Sequence, residues 1–257
     1  MIKEGRADRL VQAGIDSVEK LWKADLGALA AHPAFQGDAG FIGQVPLLQG
    51  YAEAHCKRAA IVYAADPRIF ELPEPIIHMD LEFDGPVSEI FLYGMLRHDG
   101  KGVEQWFDHT RKGQDKMLRD FRDLCLEGGT IVTWGGRSSD TVQLRRACEK
   151  IGISPRWLNE TTWFDLQADL VFTGSPETQR VYLPVTKFKS ETVAKHFGYK
   201  KPPLNVKDGY HALRLYRNFK RNPRPQIQDD LCKYNAEDLW HLKIILDGCR
   251  ELMTPHH

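Results

Sequence analysis

The segment IIHMDLEF, residues 76–83, alternates apolar and polar side chains and therefore predicts a β-strand with two different faces. Asp80 and Glu82 share the polar face, and their carboxyl groups are expected to lie about 6–7 Å apart along the strand. Two carboxylates at that distance repel each other unless a cation lies between them. The pattern indicates a metal site on this strand; the alternative is a solvated face of an edge strand.

The chain that follows predicts an α/β sheet. Strands SEIFLYGML (88–96) and VEQWF (103–107) come after short turns, which indicates an antiparallel meander. The later elements are expected at about 111–126 (helix), 130–134 (buried strand TIVTW), 139–151, 189–197, 210–219 and 231–252 (all helices). This order of elements predicts a sheet with helices packed on its faces.

The last of these helices carries an acid on its apolar side. Residues of the stripe recur at spacings of three and four: Leu231, Tyr234, Asp238, Leu242, Ile245 and Cys249. A carboxylate there costs several kcal/mol unless it is paired or binds a metal, and the stripe contains no lysine or arginine. Tyr234 lies one turn before Asp238, where it can hold a water or a substrate oxygen. The alternative is an aspartate that reaches the end of the core or pairs with a distant arginine.

A third acid follows the buried strand TIVTW. The Gly135-Gly136 turn leads into a helix that Ser138 or Ser139 is expected to cap, with Asp140 in the first turn. Asp140 then stands at the carboxyl end of a strand, where α/β sheets gather their ligands. The alternative for this residue is ordinary, because acids favour the first turn of a helix through the helix dipole alone.

The composition is that of an ordinary globular protein. The chain has 257 residues, 42% hydrophobic and 27% charged, which predicts one principal domain with an appended segment. No apolar run reaches the roughly 18 residues of a membrane span, and the N-terminus resembles no signal peptide, so we expect a cytoplasmic protein with no membrane partner. The five cysteines form no CxxC pair and there is no HExxH, which argues for free thiols and against a zinc ribbon.

The formal net charge is zero, but the charges are separated along the chain. Residues 186–225 contain eleven lysines or arginines against two acids. Such a stretch can offer a basic surface to phosphates beside an acidic pocket for metals. The candidates for binding nucleic acid, which alternate with Tyr216 and Phe219 as possible base-stacking groups, are Arg214, Arg217, Lys220, Arg221 and Arg224. The alternative is an amphipathic helix with a solvated basic face.

The N-terminal region predicts two or three short helices over residues 8–30, with a tight turn after Ala13 and Asp16 or Ser17 as a cap. It is similar to a helix-hairpin-helix element, a device that contacts DNA backbones; the alternative is a structural helical cap. The predicted domains are a helix-hairpin-helix-like segment over 1–35, a linker with a helix at about 49–60 over 36–75, and a main domain over 76–257.

The acidic motifs occur in the order Asp80-Leu81-Glu82, an aspartate after a strand and turn, and YNAED (234–238). This order resembles the DEDD exonucleases of the tyrosine subtype. It is similar in particular to the ribonuclease H-like exonuclease domains of the kind found among predicted RecB-type nucleases. The further matching stretches are Phe164-Asp165-Leu166, Phe188–Ala194, Phe197-Gly198-Tyr199 and Asp208–Ala212. The resemblance covers about residues 73–252 and, more loosely, 8–30.

The middle motif departs from the family pattern. The stretch 135–140 keeps the acid, Asp140, but lacks the aromatic residue that relatives carry before it. Asp165 is the reserve candidate for this acid, although that position is structural in the family.

The resemblance implies a ribonuclease H-like fold, with an antiparallel meander followed by parallel strands, and a metal-dependent nuclease. Asp80, Glu82 and Asp238 would bind two Mg²⁺ or Mn²⁺ ions. Asp140 would reach one ion through water, and Tyr234 would orient the attacking water. The implied reaction is removal of nucleotides in the 3′→5′ direction from single-stranded DNA or RNA ends.

Two other functions stay open at this level. One is a catalytically silent nucleic-acid-binding module of the same fold, which the altered middle motif fits. The other is a metal-dependent phosphatase or other hydrolase of small molecules. The sequence predicts no oligomeric state.

Overall fold

The structure is a computed structural model and describes residues 4–85, 89–100 and 102–254. It contains two compact units. One consists of the chain up to Asp66, Asp169–Phe188 and the chain from Leu252; the other consists of Pro67–Ala168 and Lys189–Glu251. The sequence-based domain boundaries at residues 35 and 75 stay predictions.

The helices and strands follow one another along the chain with short connections. The helices are α1 (Glu4–Gln12), α2 (Val18–Trp22), α3 (Leu26–Ala31), α4 (Ala39–Ile42), α5 (Val45–Lys57), α6 (Arg111–Leu126), α7 (Asp140–Ile151), α8 (Trp157–Glu160), α9 (Ser190–His196), α10 (Gly209–Arg221) and α11 (Pro225–Met253). The strands are β1 (Ile61–Val62), β2 (Ile76–Asp84), β3 (Glu89–Arg97), β4 (Val103–Phe107), β5 (Thr130–Thr133), β6 (Thr162–Asp165) and β7 (Val181–Tyr182).

The second unit is built on a five-stranded mixed sheet in the order β4-β3-β2-β5-β6. Strands β2, β3 and β4 form the predicted antiparallel meander, and β5 and β6 continue the sheet in parallel to β2. The predicted α/β fold is therefore confirmed. Strand β6 was not predicted, because its residues TWFD show no clear alternation and lack the run of β-branched side chains that marks the equally short β5, TIVT.

Helices cover both faces of this sheet. On one face Met79 and Leu81 of β2 pack in a core with Phe121 of α6 and Leu144 of α7. On the other face residues of β3 pack with Tyr216 of α10 and with residues of α11. Because β2 is the central strand and is covered on both sides, the alternative of a solvated edge strand for Asp80 and Glu82 is excluded.

Helix α11 begins six residues before the predicted start at residue 231. Pro225 is its first residue, a position where the missing N–H costs no hydrogen bond. The extension adds nearly two turns before the acidic stripe. Leu242 and Ile245 of that stripe are buried, as predicted.

The first unit contains the short helices α1–α5 around a separate apolar core, in which Leu10, Phe35 and Phe41 are buried. Ser17 caps α2 as predicted, since its hydroxyl accepts a hydrogen bond from the backbone N–H of Lys20. Within the predicted linker lies α5, which begins at Val45 rather than at about residue 49.

All five cysteines are free, and three of them are buried. None of the helices in the described stretches is both long and apolar enough to span a bilayer.

Candidate metal centre

Three carboxylates meet where α11 crosses the central strand. Asp80 and Glu82 point from the same face of β2, and Asp238 comes from α11, which covers that face. Each contributes an oxygen, and these oxygens all lie within 4.8 Å of one another. The structure therefore brings together the acids of the first and last motifs, as a shared metal site requires.

The surroundings of these acids disfavour their charged forms. Burial raises the pKa of Asp80 well above its usual range, and the charges of Asp238 and Glu82 raise it further. Burial and the charges of Asp238 and Asp140 do the same to the pKa of Glu82. Within the described part of the chain, no lysine or arginine forms an ion pair with Asp80 or Glu82. A divalent cation is the partner that would make this arrangement favourable.

Asp140 lies at the start of α7 and lines the same cleft as the three acids, although it stands outside their group. Burial raises its pKa to about 7, against the effect of the Ser139 hydroxyl. The prediction that a serine side chain caps α7 is wrong for Ser139. Its hydroxyl bonds to the carbonyl of Gly135 and to Asp140 rather than to a backbone N–H of the helix.

Asp165, the reserve candidate, holds the turn that carries Asp140. It is fully buried at the end of β6, and its carboxylate accepts hydrogen bonds from four backbone N–H groups at 2.8–3.1 Å, those of Gly135, Arg137, Gln167 and Ala168. A carboxylate used in this way fixes the path of the backbone. Asp165 is a structural residue beside the cleft, and Asp140 is the acid that lines it.

Tyr234 lines the cleft together with Asp238, one turn further along α11. Burial and the nearby charges of Asp238 and Glu82 raise the pKa of its phenol above the ordinary value. The hydroxyl therefore stays protonated at neutral pH and can donate a hydrogen bond to an oxygen in the cleft.

Asn235 is one of the site residues that sequence reasoning missed. Its side-chain nitrogen donates to the Asp80 carboxylate at 2.8 Å, and its side-chain oxygen accepts from Gln105 at 2.9 Å. Gly94, the partner of Asp80 in β3, leaves the space, because a Cβ there would overlap the Asn235 oxygen. Asn235 lies four residues after Leu231 on the buried side of α11, and this spacing was the available signal.

His241 holds the other end of the cluster. Its Nδ1 lies 3.0 Å from a carboxylate oxygen of Asp238, and the side chain is almost fully buried. Because a carboxylate can only accept, Nδ1 carries the hydrogen. The imidazole is also packed edge-on against Tyr199, with ring centres 4.5 Å apart. His241 therefore fixes the orientation of Asp238.

The acids open into a cleft of about 390 Å³. Its remaining walls are mainly aromatic and apolar, formed by Phe83, Trp134, Tyr210 and Leu213. Tyr210, at the start of α10, is 78% exposed. A cleft of this volume is large enough for one nucleotide.

A family model of the RNase H superfamily matches residues 77–249, which is more than half of the chain. The chain belongs to the RNase H superfamily. No curated protein matches it. A similar solved structure is that of the family B DNA polymerase from the hyperthermophilic archaeon Pyrobaculum calidifontis, with 18% identity and a TM-score of 0.49 over 70% of this chain. The chain covers 24% of that polymerase chain.

Membership in the RNase H superfamily, together with the acidic cleft, suggests a nuclease.

The predicted nucleic-acid-binding residues of this superfamily member lie on or just after α10. Arg217 makes a two-bond ion pair with the buried Asp84, at 2.8 Å for each bond, and Lys220 pairs with Glu89 at 2.7 Å. Arg214, Arg221 and Arg224 are exposed.

The prediction that Tyr216 and Phe219 stack on bases is wrong. Both side chains are buried, and Tyr216 stacks on Phe91 of the sheet with ring centres 3.7 Å apart. They form the apolar side of α10, because an amphipathic helix on a sheet turns its aromatic residues inward.

Replacement of Asn235 by alanine is expected to weaken Mn²⁺ binding by about 10–100-fold, since partners that orient a metal ligand are worth that much. The measurement is calorimetric titration of the metal-free protein with Mn²⁺. Asn218→Ala, on the exposed side of α10, serves as the matched control. Equal dissociation constants for Asn235→Ala and the wild type would show that Asn235 does not position Asp80.

Replacement of Asp80 by asparagine is expected to stabilise the metal-free protein at pH 8 but not at pH 5. The raised pKa of Asp80 means that the native state holds this proton more tightly than the unfolded chain does, so this stability is present at low pH and is lost as the pH rises through the raised pKa. Asparagine carries no charge, so the replacement removes the cost of ionising Asp80 in the native state. Each increment of about 1.4 kcal/mol in this cost, which is the equivalent of a tenfold change in proton affinity, corresponds to a rise of about 3–6 °C in Tm.

The measurement is thermal unfolding in EDTA at both pH values, repeated with Mg²⁺ or Mn²⁺. The metals should raise the Tm of the wild type at pH 8 and leave Asp80→Asn nearly unchanged. Asp229→Asn, an exposed acid of α11, is the control. Equal metal-induced shifts in all three proteins would argue against a metal site at this cluster.

Proposed function

We propose that this protein is a metal-dependent exonuclease of the tyrosine-type DEDD class, which removes nucleotides in the 3′→5′ direction from single-stranded DNA or RNA. The observation that carries the proposal is the grouping of Asp80, Glu82 and Asp238 within 4.8 Å in a member of the RNase H superfamily. Asp140 lines the same cleft, so the altered middle motif still supplies its acid.

The donor set fits hard divalent cations. All the candidate ligands are carboxylate oxygens, which suit Mg²⁺ and Mn²⁺. Asp80, Glu82 and Asp238 would hold two ions, with Asp140 acting through water. Such ions would generate the attacking hydroxide and stabilise the charge that develops on the phosphate.

The protein's own residues supply position and hydrogen bonds. The protonated phenol of Tyr234 can orient the attacking water, because it lines the cleft beside Asp238. Asn235 and His241 hold Asp80 and Asp238 in fixed orientations. Exposed Tyr210 and half-buried Trp134 can stack on an unpaired base, a contact that is available only in single strands or frayed ends.

Helix α10 can lead the strand away from the cleft. Tyr210, Arg214, Arg217 and Arg221 are spaced by three or four residues, so they follow one side of the helix from the cleft outward. We propose that this side, with Lys220 and Arg224, contacts the phosphate backbone. Arg217 and Lys220 already form ion pairs with Asp84 and Glu89, which partly neutralise their charges. Arg214 and Arg221 therefore contribute most to phosphate binding.

Incubation with 5′-labelled and 3′-labelled oligonucleotides, single- and double-stranded, in Mg²⁺ or Mn²⁺, tests the activity. The 5′-labelled single strands should shorten in a ladder, and EDTA should stop the reaction. Asp80→Asn and Asp238→Asn should each slow it by about 1000-fold, because the metals contribute several kcal/mol. Asp229→Asn should digest at the wild-type rate.

The alternatives give different results. Binding without digestion would identify a catalytically silent module. Release of phosphate from nucleotide monophosphates, with oligonucleotides left intact, would identify a phosphatase. A ladder from the 3′-labelled strand only would reverse the proposed polarity.

Replacement of both Arg214 and Arg221 by alanine is expected to weaken single-strand binding without changing its sequence preference. Each lost phosphate contact should lower the slope of log affinity against log salt by about 0.7. Fluorescence anisotropy of a labelled oligonucleotide over a series of KCl concentrations measures this slope. Arg119→Ala, an exposed arginine of α6, is the control, and an unchanged slope in the double variant would remove α10 from the binding surface.

A further inference from the structure

A second cavity adjoins the acidic cleft. It has a volume of about 130 Å³ and shares Gly209, Tyr234 and Asp238 with the cleft as wall residues. We call it the lysine cavity, because Lys189, Lys201 and Lys207 line it. A group bound in the lysine cavity would be a direct neighbour of a group bound at the acids.

The acids that line this cavity, other than Asp238, are already engaged. Glu191 forms ion pairs with Lys195 at 2.6 Å and with Lys201 at 2.9 Å. Asp208 caps α10 by accepting the backbone N–H of His211 at 2.8 Å. Glu237 accepts the hydroxyl of Tyr199. Each of these three acids therefore already has a hydrogen-bond or ion-pair partner, which weakens its electrostatic attraction to Lys189 and Lys207.

Lys189 and Lys207 are different. Among the described residues, neither ammonium group has a carboxylate within ion-pair distance. Lys207 directly precedes the cap of α10, and its backbone N–H donates to the imidazole of His211 at 3.3 Å, which fixes its backbone. Lys189 is itself the N-cap residue of α9. Two lysines with no carboxylate at ion-pair distance in the described part of the chain thus line one small cavity.

The size of the cavity limits what it can hold. Its volume corresponds to roughly four water molecules at their share of liquid volume. It is well below the 300 Å³ or so at which pockets begin to enclose drug-sized ligands. A single phosphate group fits this space, whereas a nucleoside belongs in the larger aromatic cleft.

We propose that the lysine cavity binds a backbone phosphate of the single-stranded substrate, adjacent to the phosphate that is cleaved. Lys189 and Lys207 supply charge-assisted hydrogen bonds to its oxygens. The inference rests on the proposed function, because that function places the cleaved phosphate at Asp80, Glu82 and Asp238. It gives the substrate strand two contacts that flank the acids, the basic side of α10 and the lysine cavity.

Binding is tested without cleavage in the Asp80→Asn protein. Affinity for a labelled single-stranded oligonucleotide is measured by anisotropy over a series of KCl concentrations, in Mg²⁺. Adding Lys189→Ala and Lys207→Ala together should lower the slope of log affinity against log salt by about 0.7, since the loss of one neutralised phosphate contributes about that much. Lys112→Ala, an exposed lysine of α6 outside both cavities, should leave the slope unchanged.

Cleavage by the otherwise wild-type protein locates the phosphate. Oligonucleotides that carry one uncharged methylphosphonate at successive positions should show one site, next to the cleaved bond, where the modification slows digestion by about tenfold. In the Lys189→Ala/Lys207→Ala protein the same modification should have no further effect. Lys207→Arg, which keeps the charge, should behave like the wild type.

The results separate the two proposals. If the wild type digests oligonucleotides but the double variant keeps the full salt slope and the full methylphosphonate effect, the lysine cavity is not a phosphate site. If the salt slope falls as expected but nothing is digested, the cavity binds phosphate and the nuclease proposal fails. Absence of any oligonucleotide binding would overturn both.

Discussion

Repulsion between the carboxylates of Asp80, Glu82 and Asp238 is the constraint around which the second unit is arranged. Two of these acids are fixed by the pleat of the central strand, and the third is brought to them by α11. The apolar stripe of α11 is buried on the sheet, and this burial stabilises a position that the charges alone would oppose. The fold therefore maintains a concentration of negative charge that a divalent cation can neutralise.

The hydrogen bonds to Asp80 and Asp238 orient these carboxylates and leave their negative charge available to a cation. Asn235 is a neutral donor, so it orients Asp80 without neutralising it as a lysine would. His241 does the same for Asp238 through one ring nitrogen. Asp165 is used differently, because it holds the turn before Asp140 by accepting four backbone N–H groups. The acid that fixes the backbone and the acids that face the cleft thus differ in their hydrogen-bond partners.

Positive charge is distributed outside this group. The chain has no net charge, yet its basic stretch forms α10 and the segments before it, next to the acidic cleft. On α10 the buried aromatic residues attach the helix to the sheet, and the exposed residues carry the arginines. Part of this charge serves the fold, because Arg217 compensates the buried Asp84 and lowers the pKa of that carboxyl group.

The sequence by itself determined four of the five strands of the main sheet and the longer helices that pack on it, because side chains that alternate along a strand and recur every three or four residues along a helix reveal which face is buried. That periodicity places Asp80 with Glu82 on one face of β2 and Asp238 on the buried side of α11. Only the tertiary structure decided that these two elements cross each other, since contacts between residues some 155 positions apart leave no local signal. The tertiary structure also shows that Asp165 binds backbone N–H groups, that Tyr216 and Phe219 are buried, and that Asn235 contacts Asp80. For Tyr216, Phe219 and Asn235 the role depends on a neighbour across the core, such as Gly94 beside Asn235, and not on the residues beside them in the chain.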